Sequence, residues 1–148
     1  MPKYVADGVC AIIMNKGRIL LLNRRNIPFL VRNPGIWSFL FGSMEKGEKP
    51  NETVYREIEE ETRLRKKDLK LISNAGKMLL IDLHSRKRWY NYTYLFESKS
   101  RNVEINIENS AFRWASIEEV KEHKGYTNIF YNEKKILNLL REMDERQH

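Results

Sequence analysis

Apolar positions along this chain come in short runs bounded by polar or turn-forming residues, which predicts strands interleaved with helices. Residues 8–14 form an apolar run with β-branched members, Asn15-Lys16-Gly17 supplies a turn, and residues 18–22 form a second run. Together they predict a β-hairpin closed by Arg24-Arg25. Residues 26–36 contain Pro28, Pro34 and Gly35 and read as a loop leading into a short aromatic strand, Trp37-Ser38-Phe39-Leu40-Phe41-Gly42. Residues 50–64 have helical composition: Pro50 suits the first turn, where its missing N–H costs nothing, and Val54 with Ile58 forms a narrow apolar stripe.

Beyond this helix, residues 70–81 and 89–97 alternate as two strands of a second hairpin, with the basic segment 84–88 as its turn. Residues 112–115 predict one more strand. Ser116 is a favourable N-cap and Glu119, three residues on, completes a capping box, so 117–123 should form a short helix. Residues 132–146 carry Ile136, Leu139, Leu140 and Met143 at helical spacing, which predicts a terminal helix packed on the sheet.

With 148 residues and no internal repeat or Ser/Gly-rich tract, a single domain over residues 1–148 is expected. Hydrophobic residues at 41% and charged residues at 32% exclude wholesale disorder. No stretch approaches the roughly 18 consecutive apolar residues of a membrane span. The start Met1-Pro2-Lys3-Tyr4 lacks the apolar core of a secretory signal, and the one cysteine, Cys10, cannot form an internal disulfide. These features predict a soluble, cytoplasmic protein with no membrane partner. The formal net charge of +7 points to anionic partners, which nucleic acids and phosphate-rich small molecules both supply.

That charge is unevenly placed. Residues 42–64 hold seven acids and four bases, a net of −3, so the remainder carries +10. On a helix advancing about 100° per residue, Glu57, Glu60 and Glu61 fall within an arc of roughly 100°. Like charges so close raise one another's pKa and destabilise the helix, a conflict that a divalent cation removes. Carboxylates on a rigid element suit Mg²⁺ or Mn²⁺, whose remaining positions take water and substrate phosphate. Arg56, four residues before Glu60, can hold a carboxylate in a fixed orientation. Taken alone, a Glu-rich helix reads equally as a solvated face laced with ion pairs.

The spacing around the helix decides between these readings. Gly42, Glu48, Arg56, Glu57, Ile58, Glu60, Glu61 and Leu64 closely resemble the signature of the Nudix hydrolases, Gly-x5-Glu-x7-Arg-Glu-U-x-Glu-Glu-x-Gly-U, where U is a bulky aliphatic residue. Chance agreement at the six charged or glycine positions has a probability on the order of 10⁻⁵. One position departs: Arg63 stands where the family usually has a glycine that ends the helix in a left-handed conformation, at a cost of about 1 kcal/mol or a reshaped exit loop. Trp37 followed by Ser38-Phe39-Leu40-Phe41-Gly42 is similar to the family's Trp, three residues and two glycines, with Phe41 in place of the first glycine.

The resemblance implies an α/β fold, an α/β/α sandwich whose mixed, curved sheet is flanked by the motif helix and the C-terminal helix. It implies hydrolysis of the diphosphate linkage in a nucleoside diphosphate joined to a group X, with Mg²⁺, or Mn²⁺ as substitute. The implied catalytic residues are Arg56, Glu57, Glu60, Glu61 and Glu108, with Glu60, Glu61 and Glu108 all candidates for the general base. The implied metal ligands are Glu57, Glu60, Glu61, Glu108 and the backbone carbonyl of Phe41. Glu108 enters because the family often places an acid about six residues before a Trp that begins a strand, here Trp114.

Arg24, Arg25, Arg32, Lys77, Arg86 and Arg88 are available to position phosphates. Trp89, Tyr90, Tyr92, Tyr126, Phe130 and Tyr131 offer surfaces for a nucleobase, although aromatic residues in strands serve the core as readily. Asn132 can read a purine edge, as an Asn does at a similar place in the branch that removes oxidised dGTP, or simply cap the terminal helix. A small nucleotide such as a (d)NTP or nucleotide conjugate is the first substrate expectation. The alternatives are capped or 5′-triphosphorylated RNA, suggested by the charge and the basic turn, and a non-catalytic nucleotide-sensing module. A homodimer is compatible with the sequence.

Overall fold

The computed structural model describes residues 4–24, 37–82, 87–121, 138–142 and 145, with side chains for 8–23, 37–79, 90–120, 138–142 and 145. Strand β1 (Tyr4–Asn15) is central. Its successive side chains point to opposite faces, and both sets are apolar: Val9, Ala11 and Ile13 enter one core, Cys10, Ile12 and Met14 the other. A strand buried on both faces reads as a continuous apolar run, which is why residues 8–14 show no polar alternation.

The first hairpin joins β1 to β2 (Arg18–Arg24), with Met14 opposite Ile19 and Asn15 opposite Arg18. Asn15 is thus the last paired residue, and Lys16 (φ 47°) and Gly17 (φ 77°) alone make the turn. Positive φ at both central positions is the two-residue hairpin geometry that matches strand twist.

The aromatic segment forms two short strands where one was predicted. β3 (Trp37–Ser38) pairs with the end of β2, and β4 (Leu40–Ser43) pairs with β1 from Gly8 opposite Ser43 to Ala11 opposite Leu40. The chain changes partner at Phe39, whose buried ring fills the core at the crossing.

After helix α1 (Pro50–Thr62) and a single 3₁₀ turn, β5 (Leu69–Asp82) and β6 (Lys87–Ser98) form the second predicted hairpin; its turn lies outside the described residues. β6 runs parallel to β1, so the sheet is mixed. β7 (Asn109–Ser116) pairs antiparallel with β2, Ala115 opposite Ile19. Among the described residues these seven strands make one sheet. The short helix α2 (Ile117–Lys121) follows, and its Ser116–Glu119 capping box is formed: the Ser116 hydroxyl accepts the Glu119 N–H at 3.1 Å and donates to its carboxylate at 3.2 Å. The expected continuation to His123 lies outside the described residues.

Two apolar layers cover the sheet. On one face α1 buries Val54 and Ile58 against Val9, Ala11, Ile13 and Phe96. Full burial of each such side chain contributes about 1.5–3 kcal/mol. On the other face Ile117 and Val120 of α2 pack with Leu139 and Leu140 of the helical residues 138–142. The expected sandwich is therefore present, with the motif helix and C-terminal helical residues on opposite faces. Ile136 and Met143 lie outside the described residues.

Candidate functional site

The loop before α1 and the helix itself are tied together by one cation. Arg56 Nε donates to Glu48 Oε2 at 2.7 Å and its Nη2 donates to Glu48 Oε1 at 2.9 Å, a bidentate fork. Nη2 also donates to the Ser43 carbonyl at 3.0 Å, which fixes the end of β4 to the helix. The remaining nitrogen, Nη1, donates to Glu57 at 3.1 Å and to both Glu60 oxygens at 3.2 Å. Glu48 is further held by the Thr53 hydroxyl at 2.6 Å and the Glu45 N–H at 3.0 Å. The Arg56 guanidinium, then these two donors, hold the Glu48 carboxyl down to about 2. Glu48 is thus a permanently ionised anchor.

The helix exit follows from Thr62 and Arg63. The Thr62 hydroxyl donates to the Ile58 carbonyl at 2.6 Å and accepts the Leu64 N–H at 3.1 Å. Arg63 adopts the left-handed conformation (φ 66°) and its N–H reaches the Glu59 carbonyl at 2.9 Å. The arginine therefore keeps the geometry in which a glycine would be unstrained, so the exit loop is retained and the strain is carried in the backbone.

The three glutamates of the helix face differ in environment. Glu57 is central: its side chain lies against Gly42, where an added Cβ would sit 2.1 Å from Glu57 Cγ. Glu57 is 14% exposed and Glu60 54%, whereas Glu61 is 2% exposed and accepts a hydrogen bond from Asn109 Nδ2 at 3.3 Å. Burial pushes the Glu57 carboxyl up to about 6; Arg56 opposes the shift, and the charges of Glu60 and Glu108 add to it. Glu108, half-buried just before β7, therefore acts on the same cluster.

Among the described residues, no three acidic side chains close on one point as a ready-made cage. Arg56 lies between Glu57 and Glu60, and Glu61 is drawn toward Asn109.

Lys77 lies on β5, its ammonium 4.9 Å from the Tyr90 ring centre and 5.7 Å from that of Tyr92. The structure brings it to these two aromatic residues. Tyr92 also packs in the α1-side core. Phe41 sits in β4 opposite Cys10, one residue before Gly42. Arg25, Arg32, Arg86, Asn132, Tyr126, Phe130 and Tyr131 lie outside the described residues, as do the side chains of Arg24, Arg88 and Trp89. Asn109 was not expected at the site. Its only sequence signal is adjacency to Glu108.

A NUDIX domain model matches residues 3–133. The chain belongs to the Nudix family. Members of this family are pyrophosphohydrolases acting on phosphoric anhydride bonds and generally use divalent cations. Over 120 residues the chain is 28% identical to an RNA pyrophosphohydrolase of Proteus mirabilis, an alignment covering 66% of each protein. The chain thus spans 66% of the length of this curated relative. The MutT protein of Methanosarcina mazei Go1 has the same fold, with a TM-score of 0.71, 23% identity and coverage of 99% of this chain and 97% of that one. The dihydroneopterin triphosphate pyrophosphohydrolase of Escherichia coli also superimposes, with a TM-score of 0.71, 18% identity and 99% coverage of both chains.

The donor set of this Nudix chain fits a hard divalent cation. One guanidinium faces four carboxylates, Glu45, Glu48, Glu57 and Glu60, with contacts from 2.7 to 3.7 Å. Burial raises the Glu57 carboxyl and the charges of Glu60 and Glu108 add to that, against the attraction of Arg56, and a bound cation would offset both effects. The absence of a closed cage is no obstacle, because Mg²⁺ commonly takes only one or two carboxylates and completes its shell with water and phosphate.

Proposed function

We propose that this chain is a Mg²⁺-dependent Nudix hydrolase, with Mn²⁺ as substitute, that cleaves the diphosphate linkage of a nucleoside diphosphate-X. A small nucleotide, a (d)NTP or nucleotide conjugate, is the first substrate class. The observation that carries this reading is the Arg56-centred cluster, in which Glu57 lies against Gly42 and one guanidinium holds Glu48, Glu57 and Glu60 together.

Glu57, Glu60 and Glu61, with Glu108 and the Phe41 carbonyl, would hold the cation. When bound, such a cation neutralises phosphate oxygens and acidifies water. Arg56 fixes the rotamers of Glu57 and Glu60 and ties the helix to β4, so the carboxylates are ordered before substrate arrives. In the reaction the oxygen of water bonds to phosphorus, the anhydride P–O bond breaks, and the leaving phosphate takes the bond's electron pair. The water's proton passes to a carboxylate, for which Glu60, Glu61 and Glu108 are the three candidates. The +10 carried outside the motif draws the polyanion toward this acidic island. Among the phosphate-positioning candidates Arg24, Arg25, Arg32, Lys77, Arg86 and Arg88, Lys77 has a described side chain and is the first to test.

A second reading, removal of pyrophosphate from 5′-triphosphorylated or capped RNA, is favoured by the relatives named RNA pyrophosphohydrolase, at 28–29% identity. A non-catalytic sensing role has less support, since Glu57, Glu60 and Glu61 are all present.

The deciding experiment assays released phosphate and pyrophosphate over a panel of nucleotides, nucleotide conjugates and 5′-triphosphorylated RNA, with Mg²⁺ or Mn²⁺. Glu60→Gln and Glu61→Gln should abolish release while the fold survives; full activity in both removes the proposal. An RNA enzyme should also lose RNA affinity steeply with salt, and no measurable RNA affinity at low salt removes that reading.

A further inference from the structure

The buried end of the acidic face meets the turn that leads into β7. Asn109, the first residue of β7, is fully buried, and its side-chain Nδ2 donates both to Glu61 Oε1 at 3.3 Å and to Asn106 Oδ1 at 3.4 Å. The same Asn106 oxygen accepts the Glu108 N–H at 3.2 Å, and the Asn106 carbonyl accepts the Asn109 N–H at 3.2 Å. One tight turn therefore delivers two things to α1: an amide to Glu61 and a carboxylate, Glu108, to the surroundings of Glu57.

A buried carboxylate must be hydrogen-bonded, and the kind of donor matters. A guanidinium satisfies a carboxylate by neutralising it, as Arg56 does for Glu48. An amide carries no charge and acts by orienting the oxygen it binds. Glu48 is the anchor that Arg56 holds, and at Glu61 the Asn109 amide donates to one oxygen, Oε1.

We infer that Asn109 is a positioning residue for Glu61: its amide fixes the buried carboxylate in a cation-accepting orientation, and the Asn106–Asn109 turn that holds this amide also carries Glu108. The inference rests on the metal-dependent hydrolase reading and adds a residue from outside the motif. Groups that orient metal ligands typically change metal affinity by about 10–100-fold when removed.

The test measures Mn²⁺ binding to the full chain by electron paramagnetic resonance, together with thermal unfolding, for wild type, Asn109→Ala, Asn109→Ser and Val120→Ala. Val120 belongs to the core on the opposite face and controls for lost stability alone. Asn109→Ala should weaken Mn²⁺ binding about 10-fold or more. Asn109→Ser, which restores a donor, should recover part of that loss, and Val120→Ala should lower the unfolding temperature without changing Mn²⁺ affinity. Wild-type Mn²⁺ affinity in folded Asn109→Ser and Asn109→Ala overturns the inference alone. If Asn109→Ala does not fold, the comparison of Asn109→Ser with Val120→Ala decides: equal Mn²⁺ affinity in the two overturns it. Failure of the wild-type protein to bind Mn²⁺ overturns both this inference and the hydrolase reading.

Discussion

Replacing Glu57 with glutamine should make the metal-free protein more stable at alkaline pH. In the fold the Glu57 carboxyl sits at about 6 against an ordinary 4.5, because burial and the neighbouring acids outweigh the attraction of Arg56. A raised carboxyl stabilises the fold while it is protonated, so the contribution is fully present below pH 4.5 and is lost as pH rises through 6. The difference of roughly 1.5 units corresponds to about 2 kcal/mol that wild type forgoes above pH 7. The substituted glutamine is neutral throughout and forgoes nothing. For a chain of this size about 2 kcal/mol corresponds to about 4–8 °C in unfolding temperature. The assay is thermal unfolding of wild type and Glu57→Gln in EDTA at pH 4.5 and pH 8. The advantage of the variant over wild type should be about 4–8 °C larger at pH 8. Saturating Mn²⁺ at pH 8 should raise the wild-type unfolding temperature and close the gap, since a ligand at 100 times its Kd adds about 2.7 kcal/mol to the state it binds. A difference between the two proteins that does not change with pH would refute the reasoning, because the cost assigned to the ionised carboxylate would not exist.

Two further substitutions probe the geometry around that residue. Gly42→Ala places a methyl group 2.1 Å from Glu57 Cγ and should expel the side chain while the pairing of β4 with β1 persists, so Mn²⁺ titration should register about a 10-fold weaker affinity in a folded protein, and wild-type affinity would remove the role assigned to Gly42. Arg63→Gly relieves a left-handed arginine (φ 66°) but gives the unfolded chain more freedom, so the net gain should be about 0.5–1 kcal/mol, read as a small rise in denaturation midpoint; a lower midpoint would show that the arginine carries no strain.

Stability and proposed task pull against each other here. The cluster keeps an ionised carboxylate where its surroundings disfavour charge, and helix α1 tolerates it because the neighbouring Val54 and Ile58 are fully buried against the sheet. The cation that would relieve the conflict is the one the proposed reaction needs. Glu48 is the contrasting case: satisfied by Arg56, Thr53 and the Glu45 N–H, it stays ionised through any physiological pH and serves to hold Arg56 in place.

Much of this was legible from residue order, and the reason is that it is local. The Lys16-Gly17 turn, the Ser116–Glu119 capping box and the Val54/Ile58 stripe are set by residues within a few positions of one another, where backbone sterics and side-chain spacing act directly. The Arg56–Glu60 contact is likewise one helical turn, and the spacing from Gly42 to Leu64 was enough to mark the family. Long-range placement was another matter. Spacing put Glu57, Glu60 and Glu61 on one arc, but only the packing of α1 on the sheet made Glu61 buried, Glu57 half-buried and Glu60 exposed. The split of residues 37–43 between two partner strands, and the meeting of Asn109 with Glu61 across 48 positions, depend on how the sheet closes. A sequence fixes which charges lie on a helix, since that follows from its pitch; how much each charge costs depends on the water and the donors that the rest of the chain removes or brings, and the tertiary structure alone decides that.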